Sequence, residues 1–213
     1  MTPAVREAWA RGRALLDDLR PTGDLVAGLA ERLADTEGLP GPEDAFAWLS
    51  CVLGLVSANE GNYGVGAVVL RDGEIVAEGR NRLLQPRRDT SAHAESDALD
   101  TFEARFPDSD PGSGSGVGVG VGTTLYTSLE CCPMCTVRLL NSGIRAVRYL
   151  APDEDGGMLS RMAGLPPYWR RLAAGRTPRQ TFEPAACHPV LGEIAADVFA
   201  TTEAWLNERL VRS

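Results

Sequence analysis

Apolar residues recur along this chain first at helical and then at strand intervals. In residues 3–19, Val5, Ala8, Trp9, Leu15, Leu16 and Leu19 follow the helical period, and Pro3 suits a first helical turn. Residues 24–35 repeat the pattern with Leu25, Val26, Leu29 and Leu33, and the run from Gly38 to Pro42 breaks it. A third helix is predicted over about 43–59, with Pro42 in its first turn and Glu43 and Asp44 at its positive end. That segment is apolar nearly all round (Phe46, Trp48, Leu49, Cys51, Val52, Leu53, Leu55, Val56), so it belongs in a core or at a subunit contact.

Residues 64–70 and 74–79 then read as two strands joined by Asp72-Gly73, a strong hairpin turn. Gly64 and Gly66 precede a strand and not a helix, which makes a phosphate loop a weak reading. Thr90 or Ser91 can cap a fourth helix running to about Phe106, with His93 and Glu95 in its first turn. Residues 124–128 read as a strand, 133–142 as a helix and 146–150 as a strand, the unit that builds a parallel pair. Beyond Pro152 the pattern gives a short helix from Pro166, irregular chain over 176–189, and a closing helix over 190–210. The stretch 107–123, rich in Gly, Ser and Val, is low-complexity and is expected to be a flexible insertion.

Composition narrows the class. A chain of 213 residues with 44% hydrophobic and 23% charged content fits a globular protein able to bury a core. Its net charge is −8 and every basic side chain is arginine. An acidic chain is a poor match for a phosphate backbone, so a small molecule is the expected partner and nucleic acid is not. Five cysteines in a chain this long do not suggest a disulfide framework. No stretch approaches the ~20 apolar residues that span a bilayer, and a soluble, cytoplasmic protein is expected.

The chemistry sits in two short segments. Thr90-Ser91-Ala92-His93-Ala94-Glu95 offers an imidazole and a carboxylate two positions apart, and Glu130-Cys131-Cys132-Pro133-Met134-Cys135 offers thiols at C-x-x-C spacing. His93, Cys132 and Cys135 make three zinc ligands, and a catalytic zinc keeps its fourth position open. Glu95 is then free to move protons. A structural zinc site would need a fourth ligand, and a redox pair would leave His93-Ala94-Glu95 unexplained.

The order H-x-E, then C-x-x-C, resembles the zinc-dependent deaminases of the cytidine deaminase-like superfamily, in particular its guanine, cytosine and tRNA-adenosine branch. The resemblance covers roughly residues 42–151. It implies an α/β fold, a three-layer α/β/α sandwich around a mixed sheet; the helical extension over 1–41 and the second extension over 152–213, expected to pack on the core and line the pocket, lie outside the resemblance. It also implies a Zn2+ cofactor, Glu95 as proton carrier, Asn81 and Ala94 at the substrate (a turn or helix cap being the alternative for Asn81), and a homodimer. Tyr168, Trp169 and Phe182 are candidates to stack on the ring, with core packing as their alternative. Arg87 and Arg88 could meet a phosphate, with a solvated loop as theirs. Cys131 departs from the family, which places proline there. The implied reaction is hydrolytic removal of an amino group from a nucleobase or nucleoside. A tRNA or single-stranded nucleic acid deaminase and a non-catalytic binding module are the alternatives.

Overall fold

The computed structural model describes residues 1–107, 122–175 and 179–212. The elements run α1 Pro3–Asp18, α2 Asp24–Asp35, α3 Asp44–Asn59, β1 Gly66–Arg71, β2 Glu74–Arg80, α4 Ala94–Arg105 and β3 Thr123–Leu129. They continue with α5 Pro133–Asn141, β4 Ala146–Ala151, a 3-10 turn at Leu159–Gly164, α6 Pro167–Gly175, β5 Thr181–Pro184 and α7 Pro189–Arg212. Most of the expected insertion over 107–123 lies outside the described residues.

Five strands form one mixed sheet in the order β2-β1-β3-β4-β5. β1 is antiparallel to β2 and β3, whereas β3–β4 and β4–β5 are parallel. The Asp72-Gly73 turn forms as expected, with positive φ at both residues. α3 and α7 cover one face, with α1 and α2 packed outside them, while α4 and α5 lie on the other. The three-layer α/β/α arrangement is therefore present, and α7 belongs to one of its layers. Leu191, Ile194 and Val198 of α7 are fully buried beside Trp48, Leu49 and Leu55 of α3 in a single core. Burial of an aliphatic side chain contributes about 1.5–3 kcal/mol, so this seam holds the C-terminal helix firmly.

Two close approaches set the layers. A Cβ at Gly66 would lie 2.3 Å from the Ser50 carbonyl oxygen, so β1 runs directly under α3. A Cβ at Gly79 would lie 2.3 Å from the Ala94 oxygen and 2.4 Å from the Ala98 nitrogen, so α4 rests on β2 without an intervening side chain. Gly66 thus serves packing.

Three expectations are corrected. α3 starts at Asp44 with Glu43 as its N-cap, leaving Pro42 in the preceding turn. α4 starts at Ala94, and its N-cap is His93, not Thr90 or Ser91. Asp89 takes the Ser91 amide and hydroxyl at 3.0 and 2.6 Å, and this local turn uses up the residue expected to cap. The stretch expected to be irregular contains β5, whose Phe182 pairs with Val147.

Candidate zinc centre and active-site cavity

His93 and Cys132 occupy equivalent places. Each is the N-cap of its helix, α4 and α5, in extended conformation and with no side-chain capping bond. An N-cap residue that does not bond its own helix is free to point elsewhere. Both side chains point to the same spot. Pro133 at the first helical position fixes the start of α5, and Cys135 follows in its first turn.

The donor atoms of His93, Cys132 and Cys135 all lie within 4.8 Å of one another. The Cys132 Sγ to His93 Nδ1 separation is 3.6 Å. A tetrahedral zinc with bonds of about 2.0–2.3 Å holds neighbouring ligands roughly 3.3–3.8 Å apart, so this donor set fits the ion. Among the described residues it is the one such group.

A hydrogen bond couples the two thiols. The hydrogen bond from Cys135 pulls Cys132 down to about 4, and His93 adds to this against the penalty of burial. The same bond, with burial, pushes Cys135 up. His93 is raised by its contact with Cys132. A divalent cation that displaces the thiol protons would satisfy this cluster. Cys131 is fully buried and its thiol is pushed well up by burial, as expected of a side chain outside the donor set.

Glu95 stands in the first turn of α4, 4% exposed. Its Oε1 accepts from the Thr127 hydroxyl at 3.3 Å, and the same hydroxyl lies 3.1 Å from the Leu129 carbonyl oxygen. Burial pushes the Glu95 carboxyl up, and the charge at Cys132 adds to this. Asn81, just past β2, is buried; its Oδ1 accepts from the Leu83 amide at 3.0 Å, and Ser57 holds its carbonyl at 2.6 Å. Glu130 accepts from the amides of Ser160 at 2.7 Å and Asp153 at 3.2 Å, tying the chain after β4 to the cysteine segment. Those amides hold its carboxyl below the usual range, although burial opposes them.

A cavity of about 460 Å³ opens over the cluster. Its buried floor includes Asn81, Leu83, Glu95 and Leu129, with His93 and Cys132 beside them. Its more exposed wall comes from Tyr63, from Asp153, Asp155 and Gly156, and from Phe199, Glu203, Asn207 and Leu210 of α7. The volume lies within the ~300–1,000 Å³ of small-molecule sites.

The five residues His93, Glu95, Cys132, Cys135 and Asn81 are thus brought together. Ala94 is buried with its carbonyl toward Gly79 and does not line the cavity. Tyr168, Trp169 and Phe182 also lie outside the lining: Tyr168 is 58% exposed on α6, and Phe182 lines a different depression beside Met162 and Arg179. Sequence reasoning missed Phe199, Glu203 and Asn207. Their four-residue spacing puts them on one face of the closing helix, but nothing local shows that this face looks into the cavity.

Fold and donor set together define a zinc-binding α/β protein of the deaminase type. The chain belongs to the family described as the cytidine and deoxycytidylate deaminase zinc-binding region, whose model matches residues 44–151. It is 34% identical over 111 residues to a chloroplastic tRNA(adenine(34)) deaminase from Arabidopsis thaliana, covering 52% of this chain and 7% of that protein. It is 33% identical over 90 residues to a guanine deaminase from Bacillus subtilis, covering 42% of this chain and 51% of the relative. A tRNA-specific adenosine deaminase from Agrobacterium fabrum is 33% identical over 94 residues, covering 44% and 55%. The chain thus spans about half the length of the two bacterial relatives. Among solved structures, a guanine deaminase from Nitrosomonas europaea shares the fold with a TM-score of 0.54 at 22% identity, over 87% of this chain and 97% of that one. A tRNA:A34 deaminase does so with a TM-score of 0.54 at 22% identity, over 72% and 97%.

Proposed function

We propose that this protein is a hydrolytic deaminase that converts an amino group on a nucleobase or nucleoside to an oxo group and releases ammonia. The observation that carries this reading is Glu95: a buried carboxylate at the cavity floor, beside the three-donor cluster but not part of it. A non-catalytic binding module would have no use for such a group. When bound at His93, Cys132 and Cys135, zinc supplies the Lewis acidity that makes water a nucleophile near neutral pH. Glu95 takes the proton of the attacking water and passes it to a ring nitrogen. It then takes the remaining hydroxyl proton and delivers it to the amine, so that the C–N bond breaks, the oxo group forms and ammonia leaves. Thr127 keeps the carboxylate aimed during both transfers. With its Oδ1 tied to Leu83, Asn81 presents its Nδ2 donor to an acceptor on the ring.

The catalytic unit in this reading is residues 42–151 completed by α7, working in the cytoplasm as a homodimer. Guanine-, cytosine- and adenine-type rings all offer the required amine on a carbon next to nitrogen. The relatives support guanine or adenosine. Two of them are named for tRNA, which supports a polynucleotide substrate; the acidic cavity wall opposes it. Ammonia release by the zinc-loaded protein over a panel of bases, nucleosides, nucleotides and a tRNA anticodon stem tests the reading. Turnover of at least one base or nucleoside is expected. Release from the tRNA alone would favour the second substrate class, and none from any would refute both.

A further inference from the structure

The cavity is uneven in charge. Five carboxylates line it, those of Glu95, Glu130, Asp153, Asp155 and Glu203, and the lining includes no arginine. None of the five forms an ion pair with an arginine among the described residues, although Arg161 lies near enough to Glu130 to help lower its carboxyl and the chain makes such pairs in many other places. Arg87 and Arg88, the candidates for meeting a phosphate, are exposed and lie outside the lining. A zinc with two thiolates adds no net positive charge to offset the carboxylates.

The half-buried Glu203 is placed for recognition. It sits one helical turn beyond Phe199, whose ring stacks on Tyr63 at 5.9 Å and 23°. Glu203 is close enough to the Tyr63 hydroxyl to reinforce the upward push that burial gives it. That hydroxyl donates to Asn207 Oδ1 at 2.6 Å, so it is satisfied and leaves the Glu203 carboxylate to the cavity. An aromatic pair beside an unpaired carboxylate suits a cationic or donor-bearing group and repels an anion.

We propose that the α7 wall selects the substituent carried by the reacting ring: a cationic amine is preferred, a neutral sugar accepted and a phosphate rejected, with Glu203 as the residue that reads the charge. The substrate class is therefore a non-phosphorylated aminated heterocycle, a base or nucleoside and not a nucleotide. This rests on the deaminase reading for the orientation of the ring.

The test uses matched series that differ only at the 5′ position, with amine, hydroxyl or phosphate, on cytidine, guanosine and adenosine. Binding to the zinc-loaded full chain is measured by calorimetry, and ammonia release in parallel. Affinity should fall from amine to hydroxyl to phosphate, with an overall gap of about tenfold or more at low salt. The gap should narrow at high ionic strength. Glu203→Gln should shrink it by roughly threefold while zinc content and melting temperature hold. Equal or tighter binding of the phosphates, no binding by any member, or an unchanged gap in Glu203→Gln would each overturn the proposal. The expected order of affinity without ammonia release would leave charge selection standing and sink the deaminase reading instead.

Discussion

Gly79 has no room for a side chain, and the consequence reaches the zinc site. In Gly79→Ala the new methyl would lie 2.3 Å from the Ala94 oxygen and 2.4 Å from the Ala98 nitrogen. Ordinary contact needs at least about 3.5 Å, so α4 must move from β2 by about 1 Å. Both obstructing atoms are backbone, and no rotamer change relieves them. Overpacking of this kind costs about 1–3 kcal/mol. For a chain of this size that lowers Tm by roughly 2–12 °C. The shift falls on the helix start that carries His93 and Glu95, while Cys132 and Cys135 stay with α5. Zinc affinity should drop with stability, and a displacement of about 1 Å at reacting groups costs on the order of 10²-fold in turnover. Scanning calorimetry, zinc competition with a chromophoric chelator and ammonia release read the three effects. Gly28→Ala is the control, since nothing lies within 4 Å of its Cβ; it should stabilise α2 by about 0.5–1 kcal/mol. A Gly79→Ala protein that melts, binds zinc and turns over like its parent would refute the direct seating of α4 on β2.

Glu95→Gln should retain zinc and fold while kcat falls by about 10²–10⁴-fold, because glutamine cannot take and return a proton; loss of zinc instead would make Glu95 part of the metal shell. Cys132→Ser should lose most of the bound zinc and Cys131→Ser should keep it, as metal analysis of the purified proteins will read; the reverse would show the wrong first cysteine. Asp44 is buried and accepts from the amides of Gly41 and His188, each at 2.7 Å, joining the start of α3 to the approach of α7. Asp44→Ala strips both part-buried amides of their acceptor and should cost about 0.5–1.5 kcal/mol for each hydrogen bond lost; Asp44→Asn, which keeps one acceptor oxygen, should recover part of the loss in a urea titration.

The zinc cluster was legible in the sequence because its ligands come from two local segments with fixed spacing. The hairpin was legible because Asp72-Gly73 dictates its turn, and α3 because its apolar residues run all round. Other features depend on distant partners. β5 is a four-residue edge strand, half-buried and ending at Pro184, and pairing with β4 makes it a strand where local propensity does not. The cap of α4 misled because Ser91 is a good capping residue, and only the Asp89 turn removes it from that role. The cavity wall was hidden for the same reason. Phe199 and Glu203 meet Tyr63 across more than half the chain, and no periodicity shows which face of α7 looks into the site.

His93 and Cys132 stand 39 residues apart in the chain, yet their donor atoms are 3.6 Å apart. An ion held by both ties off a loop containing α4, the connection after Pro107 and the whole of β3. Binding that favours the native state adds to stability by mass action, about 2.7 kcal/mol at a free metal concentration a hundredfold above Kd. The entropy of closing such a loop rises only logarithmically, about 0.6 kcal/mol for each doubling of its length. The ends of the connection are fixed independently, α4 by its seat on β2 and β3 by its place between β1 and β4. Lengthening or shortening the chain between Pro107 and Gly122 should therefore leave both anchors seated, which zinc content and Tm would read. A peptide tag spliced there would ride inside the tied loop and leave the metal donors in register.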